Sequence, residues 1–433
     1  MGKLVLIVDD EPGILTTLGS VLTDEGYETL ATQSGEEALE LYREKAPDVV
    51  FLDIWLPDKD GLETLEALRE MDPSAAVIMM SGHGTASTAV KAIKMGAFDY
   101  VEKPVSYNRV VETVSEALRY RRSMGEGTMI RAQSGAARPR HPAERKFTPA
   151  PELPLLETAQ TPQRTIRRST VIYGLGLHSG ASTAMVIQPL PADSGVHFVT
   201  LPTNTHLPSH VALVEETSYA TTLSKEGASI RTVEHFLSTL HAYGITNLLI
   251  KVHGEIPVLD GSALDFCKTI EETGIVDQSQ PRRELVIDRR YEVGAGDGKV
   301  LSLEPYDGFA VSYLLRYPSP IGEQHYEFEL TNPEDYREQI APARTFGFIR
   351  DLKMMNELGL GSGGRLDNCI LVGEDDVINT ELRFHDEFVR HKILDVIGDL
   401  YLLGYPIRGR VEARLTGHRN NIAILREILR LNS

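Results

Sequence analysis

One predicted helix near the end of the chain places three potential metal-binding side chains on a single face. His391, Asp395 and Asp399 are each four residues apart, which is the spacing of neighbours along a helix surface. Earlier in the chain, Glu234 directly precedes His235 in another segment with helical periodicity. Spacing alone is a moderate signal, because a His and an Asp four residues apart more often form a surface ion pair and a Glu-His dipeptide says little.

These side chains have the chemistry needed to hydrolyse an amide. Two histidines and an aspartate suit Zn²⁺ and leave a fourth position for water, whose pKa the metal lowers to about 7. A carboxylate beside a ligand can take the water's proton. A separate histidine, such as His418, can give a proton to a leaving amine.

A second group of side chains follows the predicted strands of the N-terminal part. Asp9 and Asp10 come after the first strand and Asp53 after a later one, while Ser81 and Lys103 follow two more. The carboxyl ends of strands in an open parallel sheet meet at one edge, so these side chains should converge. Three carboxylates repel one another and predict a hard cation such as Mg²⁺. A lysine and a hydroxyl there would stabilise a phosphorylated carboxylate.

The elements that must position the second group alternate between strand and helix. This rhythm over residues 1–121 predicts an α/β domain with a doubly wound parallel sheet of five strands. The predicted strands are Leu4–Val8, Glu28–Thr32, Val49–Leu52, Ala76–Met80 and Asp99–Val101, and the predicted helices are Ile14–Glu25, Leu62–Met71, Thr85–Met95 and Arg109–Tyr120.

The rest of the chain divides into a linker and a second globular part. Residues 122–163 lose apolar periodicity and gain Pro, Ala and Arg, which is typical of a solvated flexible tether. From residue 164 strands and helices mix without a βαβ rhythm, which predicts an α+β fold. The predicted strands there are Thr183–Gln188, Asn247–Val252 and Ala310–Leu315, and the predicted helices are Thr232–Ala242 and Glu387–Leu402.

Composition excludes several classes of protein. The net charge of −18 argues against a nucleic-acid partner. Two cysteines, Cys267 and Cys369, make no disulfide framework and fit a reducing cytoplasm. No signal peptide is evident, and no apolar run reaches the length of about 18 residues that a membrane span needs. A lipid substrate would therefore be met from the aqueous side.

The N-terminal part resembles the receiver domain of bacterial response regulators. The resemblance rests on Val-Asp-Asp-Glu-Pro at 8–12, Leu-Asp-Ile-Trp-Leu-Pro-Asp-Lys-Asp-Gly at 52–61, Met-Ser-Gly-His-Gly at 80–84 and Gly-Ala-Phe-Asp-Tyr-Val-Glu-Lys-Pro at 96–104. It implies that Asp53 accepts a phosphoryl group from a sensor histidine kinase and binds Mg²⁺ with Asp9 and Asp10. It further implies that Ser81 and Lys103 sense the phosphate, that Tyr100 is the rotating aromatic, and that the bond between Lys103 and Pro104 is cis.

Residues 164–433 resemble the UDP-3-O-acyl-N-acetylglucosamine deacetylase family, whose zinc enzymes act in lipid A biosynthesis. The matching motifs are spread over the whole region. They are Arg-Thr-Ile at 164–166, Gly-Leu-Gly-Leu-His-Ser-Gly at 174–180, Thr-Val-Glu-His at 232–235, Glu-Ile-Pro-Val-Leu-Asp-Gly-Ser-Ala at 255–263, Ala-Arg-Thr-Phe-Gly-Phe at 343–348, Asp-Glu-Phe-Val-Arg-His-Lys-Ile-Leu-Asp-Val-Ile-Gly-Asp-Leu at 386–400 and Gly-His at 417–418.

This second resemblance implies a role for each matched residue. His235, His391 and Asp395 would bind zinc, Glu234 would be the general base and His418 the general acid. The resemblance further implies that Asp399 orients His418, that Thr345 donates to the developing oxyanion, and that Lys392, Phe346 and His178 contact the substrate.

The family fold implies two similar sheet-and-helix domains, at 164–286 and 287–433, with the active site between them. Residues 350–375 match a small βαβ insert that forms an apolar passage for the acyl chain, with Met354, Met355, Leu358 and Leu360 as its surface. The alternative is that these four residues are ordinary core. One departure from the family is that segment 217–223 lacks a cysteine that other members often carry near the metal; this thiol is not a proposed ligand.

Three interpretations of the whole chain follow. The first is an active deacetylase regulated through Asp53, by receiver-mediated dimerisation or by release of an occluded state. The second is a catalytically silent signalling module, against which the full set of catalytic side chains argues. The third is a transcription regulator, but the sequence has no phosphate-binding loop of the type that precedes such outputs.

Overall fold

A computed structural model of the chain describes residues 3–82, 91–103, 105, 107–125, 147, 153–201, 203–295 and 298–432. The chain divides near residue 145 into two compact units. Three predicted features lie outside the described residues. They are part of the helix at 85–95, the motif residues His83 and Gly84, and Pro104 with its predicted cis bond.

The first unit is built on five parallel strands in the order β2-β1-β3-β4-β5. The side chains of β3 and β4, two of the three interior strands, are all buried, as expected for a sheet covered on both faces. This confirms the predicted fold class of the N-terminal part. The elements are β1 Leu4–Val8, α1 Pro12–Asp24, β2 Glu28–Thr32, α2 Gly35–Lys45, β3 Val49–Asp53, α3 Gly61–Met71, β4 Val77–Ser81, β5 Asp99–Glu102 and α4 Tyr107–Gly125.

Helix α2 is the one described helix of this unit that the sequence analysis missed. Its signal is present, because Ser34 is the N-cap and its hydroxyl accepts a hydrogen bond from the Glu37 amide at 3.1 Å. Two acidic side chains in the first turn interact favourably with the positive end of the helix dipole. The buried Ala38, Leu39 and Tyr42 give the helix an apolar face.

The second unit combines several sheets with helices. One sheet has the order β10-β9-β14-β8-β7, a second is β11-β12-β13, and a third has the order β16-β17-β22-β15-β6, in which β18 also pairs with β22 and β19 pairs with β18. Its strands are β6 Leu156–Ile166, β7 Thr170–Leu175, β8 Ser182–Pro189, β9 Val196–Thr200, β10 His206–Pro208, β11 Val214–Glu216, β12 Thr222–Lys225, β13 Ala228–Ile230, β14 Leu248–Val252, β15 Ile275–Val286, β16 Tyr291–Ala295, β17 Lys299–Glu304, β18 Phe309–Arg316, β19 Glu323–Glu329, β20 Phe346–Phe348, β21 Ile370–Val372 and β22 Ile407–Arg414. Its helices are α5 Glu234–Tyr243, α6 Leu264–Thr273, α7 Pro333–Gln339, α8 Leu352–Glu357, α9 Glu387–Leu400 and α10 His418–Asn432.

The predicted linker at 122–163 is too long at both ends. Helix α4 continues to Gly125, and strand β6 begins at Leu156. Strand β6 pairs antiparallel with β15, so its hydrogen-bond partner lies more than a hundred residues away and leaves no local pattern. The predicted boundary at residue 164 therefore falls inside a strand, whereas the boundary at 286 coincides with the end of β15.

Helices α5 and α9 form the buried centre of the second unit. Every residue of α5 is buried, although it carries Glu, His, Ser and Thr. The two helices approach closely at Gly398 of α9, where a Cβ atom would lie 2.0 Å from the carbonyl oxygen of Glu234. This close approach sets the distance between the first turn of α5 and the polar face of α9.

Candidate functional sites

The structure brings the three predicted zinc ligands together. His235 lies in the first turn of α5, and His391 and Asp395 lie one turn apart on α9. Their ligand atoms are all within 4.8 Å of one another. Asp395 Oδ1 is 3.6 Å from His391 Nε2 and 3.9 Å from His235 Nε2, and each of the three side chains is almost fully buried.

The two histidines are held in the neutral form that can bind a metal. Burial lowers the pKa of His235 to about 3 and also lowers the pKa of His391. His391 Nδ1 lies 3.0 Å from the carbonyl oxygen of Ala343, to which it donates, so Nε2 keeps its lone pair towards Asp395.

The carboxylate of Asp395 is held ionised by its neighbour Lys392. Burial opposes ionisation, but Lys392 Nζ lies 2.6 Å from Asp395 Oδ2 and, with the nearby histidines, holds the pKa of Asp395 below its usual range. Two neutral imidazoles and one carboxylate form a donor set that fits a divalent metal with nitrogen and oxygen ligands.

Glu234 and His418 face each other beside this cluster. His418 Nε2 lies 3.9 Å from Glu234 Oε1 and 3.9 Å from Asp395 Oδ2. Burial raises the pKa of Glu234 to about 8, and its Oε2 accepts a hydrogen bond from the Thr221 amide at 3.1 Å. A proton donor and a proton acceptor therefore stand next to each other beside the candidate metal site.

Asp399 holds the other side of the His418 ring. His418 Nδ1 lies 2.7 Å from Asp399 Oδ2, which fixes the ring orientation and directs Nε2 towards the cluster. Burial lowers the pKa of His418, but Asp399 and the other carboxylates outweigh burial and raise it to about 9. Asp399 is itself held by the Thr221 hydroxyl at 2.6 Å and the Asn421 amide at 2.8 Å.

Sequence reasoning missed Thr221 and Asn421. Asn421 follows His418 by three residues on α10, a spacing that places both on one helix face. No local signal marks Thr221, because it contacts Asp399 across 178 residues of sequence.

The cluster opens into a cavity of about 660 Å³. Thr345, Phe346 and Lys392 line it, whereas His178 is buried and is not among the lining residues; its neighbour Leu177 takes that place. The lining residues also include Thr217, Tyr219, Thr232, Lys299, Leu315, Arg316, Tyr317, Gly347, Phe348, Arg350, Asp351, Met355, Leu415, Thr416, Gly417, Arg419 and Asn420.

A second cavity of about 390 Å³ lies beside the first. It is lined by α8 and the residues after it, and Met355 lines both cavities. Strands β20 and β21 pair in parallel around α8, which is the predicted βαβ arrangement. Met354 and Leu358 are 47% and 61% exposed, so they are surface residues and not ordinary core.

The carboxylates of the first unit also converge. Asp9, Asp10 and Asp53 have ligand oxygens within 4.8 Å of one another at the carboxyl ends of β1 and β3. Lys103 Nζ lies 2.7 Å from Asp9 Oδ2 and 2.6 Å from Asp53 Oδ2. Burial raises the pKa of Asp9 to about 7 and also raises the pKa of Asp10.

The other predicted residues of this pocket lie at neighbouring strand ends. Ser81 is buried at the end of β4, and Tyr100 is half-buried on β5. Gly61, which sequence reasoning did not single out, approaches Asp53 so closely that a Cβ atom would lie 1.9 Å from the Asp53 carbonyl oxygen. A larger residue would displace the loop that follows Asp53.

Among the residues that the structure describes, no helix combines the length and apolar character needed to cross a membrane.

Comparison with known proteins finds two families in this chain. The model of the UDP-3-O-acyl N-acetylglycosamine deacetylase family matches residues 163–430, and that of the response regulator receiver domain matches residues 5–115. A UDP-3-O-acyl-N-acetylglucosamine deacetylase from a Nitratiruptor species is 41% identical over 262 residues, which cover 60% of this chain and 87% of that protein. The enzyme of the same name from Neisseria gonorrhoeae is 40% identical over 277 residues, which cover 62% of this chain and 90% of that protein. The crystal structure of the receiver domain of NtrX from Brucella abortus is 41% identical, covers 27% of this chain and 98% of that chain, and has a TM-score of 0.26.

Proposed function

We propose, since the chain belongs to the UDP-3-O-acyl N-acetylglycosamine deacetylase family and carries a response regulator receiver domain before it, that it is a zinc-dependent deacetylase controlled by phosphorylation. Its substrate would be UDP-3-O-acyl-N-acetylglucosamine, from which it releases acetate in lipid A biosynthesis. The observation that carries the proposal is the placement of His235, His391 and Asp395 beside Glu234 and His418 on one cavity.

His235, His391 and Asp395 would hold the zinc ion. Bound zinc supplies an acidified water molecule and polarises the acetyl carbonyl. The positive charge of the ion would also lower the pKa of Glu234 from its raised value, because an opposite charge nearby favours the ionised carboxylate.

The protein's own groups would then move two protons. Glu234 takes a proton from the attacking water, whose oxygen forms a bond to the acetyl carbon. His418 gives a proton to the amide nitrogen as the carbon–nitrogen bond breaks, so the products are acetate and the free amine of the sugar. Asp399 stabilises the protonated ring of His418 until the ring donates its proton.

Thr345 and Lys392 would stabilise and position the substrate. Thr345 lines the cavity, and its amide is fixed by a 2.7 Å hydrogen bond to the carbonyl of Gly261, so its hydroxyl can donate to the developing oxyanion. Lys392 and Phe346 line the same cavity and would contact the sugar nucleotide. The acyl chain would pass Met355, which lines both cavities, to enter the second cavity. His178 would support Leu177 in the wall of the first cavity.

The receiver would regulate this activity. Asp9, Asp10 and Asp53 would hold Mg²⁺, Asp53 would accept a phosphoryl group from a sensor histidine kinase, and Ser81 and Lys103 would bind the added phosphate. Tyr100 would rotate in response, and the receiver would then change its self-association or release an occluded state. We place the protein in the cytoplasm, and we propose that its deacetylase part divides into two domains near residue 286, where β15 ends.

A signalling module with a silent deacetylase half is the second candidate. The complete set of catalytic side chains at hydrogen-bonding or near-ligand distances is the observation against it.

The test is acetate release from UDP-3-O-acyl-N-acetylglucosamine by zinc-loaded protein, with and without acetyl phosphate, beside His235→Ala. We expect acetate from the parent protein, none above background from the variant, and a rate that changes with acetyl phosphate. Equal rates in the parent and the variant would remove the proposed enzyme, and equal rates with and without acetyl phosphate would remove the proposed regulation.

A further inference from the structure

Phe147 is the only Phe, Trp or Tyr in the predicted linker at 122–163, and it packs against the β9–β10 pair of the second unit. Its ring centroid lies 5.0 Å from that of His197 and 5.4 Å from that of His206. It also packs against the buried cluster of Leu190, Val199 and Leu249. The chain thus touches the second unit before the first strand of that unit begins.

The surface that receives Phe147 is fixed by hydrogen bonds of its own. His197 lies on β9 and His206 on the paired strand β10, and their rings are stacked with centroids 4.7 Å apart. His197 Nε2 lies 2.6 Å from the carbonyl oxygen of Ser194, to which it donates. Its Nδ1 is therefore an acceptor, and it receives the Nε2–H of His206 at 2.9 Å.

The strand register explains why an apolar platform lies beside these rings. His197 and Val199 are two residues apart on β9, so they point to the same face of the sheet. Leu249 of β14 is directly paired with His197 in a parallel register. Phe198 and Ile250, which are paired and fully buried, point to the opposite face. This face of β9 and β14 therefore offers two oriented imidazoles and an aliphatic floor, on which an aromatic ring can pack.

We infer that this surface, defined by Leu190, His197, Val199, His206 and Leu249, is a docking site for the linker, with Phe147 as its anchor. The anchor changes the length of chain that joins the two units. Thirty residues, 126–155, lie between the end of α4 and the start of β6, whereas 21 residues, 126–146, lie between the end of α4 and Phe147. The chain from the receiver thus reaches the second unit at the β9–β10 edge.

Limited trypsin digestion of the full-length protein tests this inference. Trypsin can cut after Lys146, directly before the anchor, and after Arg131, which lies earlier in the same linker and farther from the anchor. The ratio of the two cleavage rates measures protection at the anchor and corrects for enzyme activity. Releasing a packed aromatic ring should raise this ratio roughly tenfold.

His206→Ala is the informative variant, because it removes part of the docking site and leaves the cleaved sequence unchanged. We expect roughly a tenfold rise in the ratio for His206→Ala and for Phe147→Ala, and a ratio near the parental value for His206→Phe, which keeps an aromatic ring. His385→Ala is the matched control, since that side chain is 92% exposed and should leave the ratio unchanged.

Hydrogen exchange over residues 196–208 is the second measurement, and it covers the case in which His206→Ala unfolds the unit. Phe147 lies outside the described strands of that unit, so Phe147→Ala should leave the sheets folded. If the ring packs on the β9–β10 pair, this variant should speed hydrogen exchange in that pair by several-fold. Unchanged exchange in Phe147→Ala, together with an unchanged cleavage ratio, would overturn the inference.

Discussion

The two clusters of potential metal ligands in this chain are held by different kinds of element. In the receiver unit, Asp9, Asp10 and Asp53 stand at the ends of strands, where loops begin, and Asp10 is exposed to solvent. In the deacetylase unit, His235 and its partners stand on two packed helices, and all are buried. A cluster of carboxylates at a sheet edge suits an ion that keeps part of its water and exchanges, whereas a buried set with two imidazoles suits a resident ion.

Each cluster also contains a lysine, but the two lysines contact their clusters differently. Lys103 bridges two of the three carboxylates, Asp9 and Asp53, and so neutralises much of their repulsion. Lys392 contacts the single carboxylate of its cluster, Asp395, on the side away from the histidines. Lys103 therefore offsets part of the negative charge of the receiver pocket even without a bound cation, whereas the geometry of the deacetylase site depends on the frame of helices around it.

The largest effect that this comparison predicts is on the chemistry beside the helical cluster. Glu234→Gln should lower the kcat for acetate release by about 10²–10⁴-fold, because the side chain can no longer take a proton, while the bound zinc should remain. Acetate release and metal content of the purified variant measure the two separately. Glu271→Gln, on the half-exposed pair with Arg337, is the control and should retain activity. Loss of zinc together with loss of activity in Glu234→Gln would instead make Glu234 part of the metal site.

The frame of the helical cluster depends on a buried ion pair that the sequence analysis did not identify. Arg344 and Glu387 are both buried, with Arg344 Nε 2.8 Å from Glu387 Oε1, and they join the segment that carries Ala343 and Thr345 to the first turn of α9. Glu387→Gln should destabilise the deacetylase unit by about 3–5 kcal/mol, because it leaves the Arg344 charge buried without its partner.

The exposed pair between Arg316 and Glu323 is the matched control for this prediction. Glu323→Gln should cost about 0–1 kcal/mol, because solvent screens that pair. Urea unfolding followed by far-UV circular dichroism gives the stability of each variant, and fluorescence of Trp55, the single tryptophan of the chain, follows the receiver unit separately. Equal losses in the two variants would contradict a special role for the buried pair.

The Arg344–Glu387 pair shows where sequence reasoning stops. Local patterns placed the strands of the receiver and the helices α5 and α9, because periodicity and motifs lie within one segment. Family motifs gave the candidate metal ligands. Contacts between distant segments left no such signal: Arg344 meets Glu387 across 43 residues, and β6 pairs with β15 across more than a hundred. The missed helix α2 is a different case, since its N-cap at Ser34 was visible in the sequence.

A smaller effect is expected when the bridging lysine of the receiver is removed. Lys103→Met leaves Asp9 and Asp53 without a cation and should destabilise the metal-free receiver by about 1–3 kcal/mol. Saturating Mg²⁺ should then restore more stability to this variant than it adds to the parent protein, because the ion binds only the folded pocket. Urea unfolding followed by Trp55 fluorescence, with and without Mg²⁺, measures both. The control is Lys3→Met, which removes the lysine of a half-exposed pair with Asp48 and should show the parental response to Mg²⁺. A parental response in Lys103→Met as well would contradict the neutralisation of Asp9 and Asp53 by Lys103.

The smallest effect is expected at the second cavity, which α8 and the residues after it line. Leu352 lines this cavity and is 47% exposed, so Leu352→Ala should change the free energy of unfolding by no more than about 0.5 kcal/mol. If the residues around α8 receive the acyl chain, this substitution should raise the KM for the acylated substrate by roughly two- to tenfold, since part of one leucine contact is lost. The KM for the same sugar nucleotide without an acyl chain should stay unchanged.

Leu431→Ala, at a comparably exposed position on α10, is the control for both substrates. An equal rise for acylated and unacylated substrates would show that Leu352 shapes the nucleotide end of the site and that the acyl chain lies elsewhere.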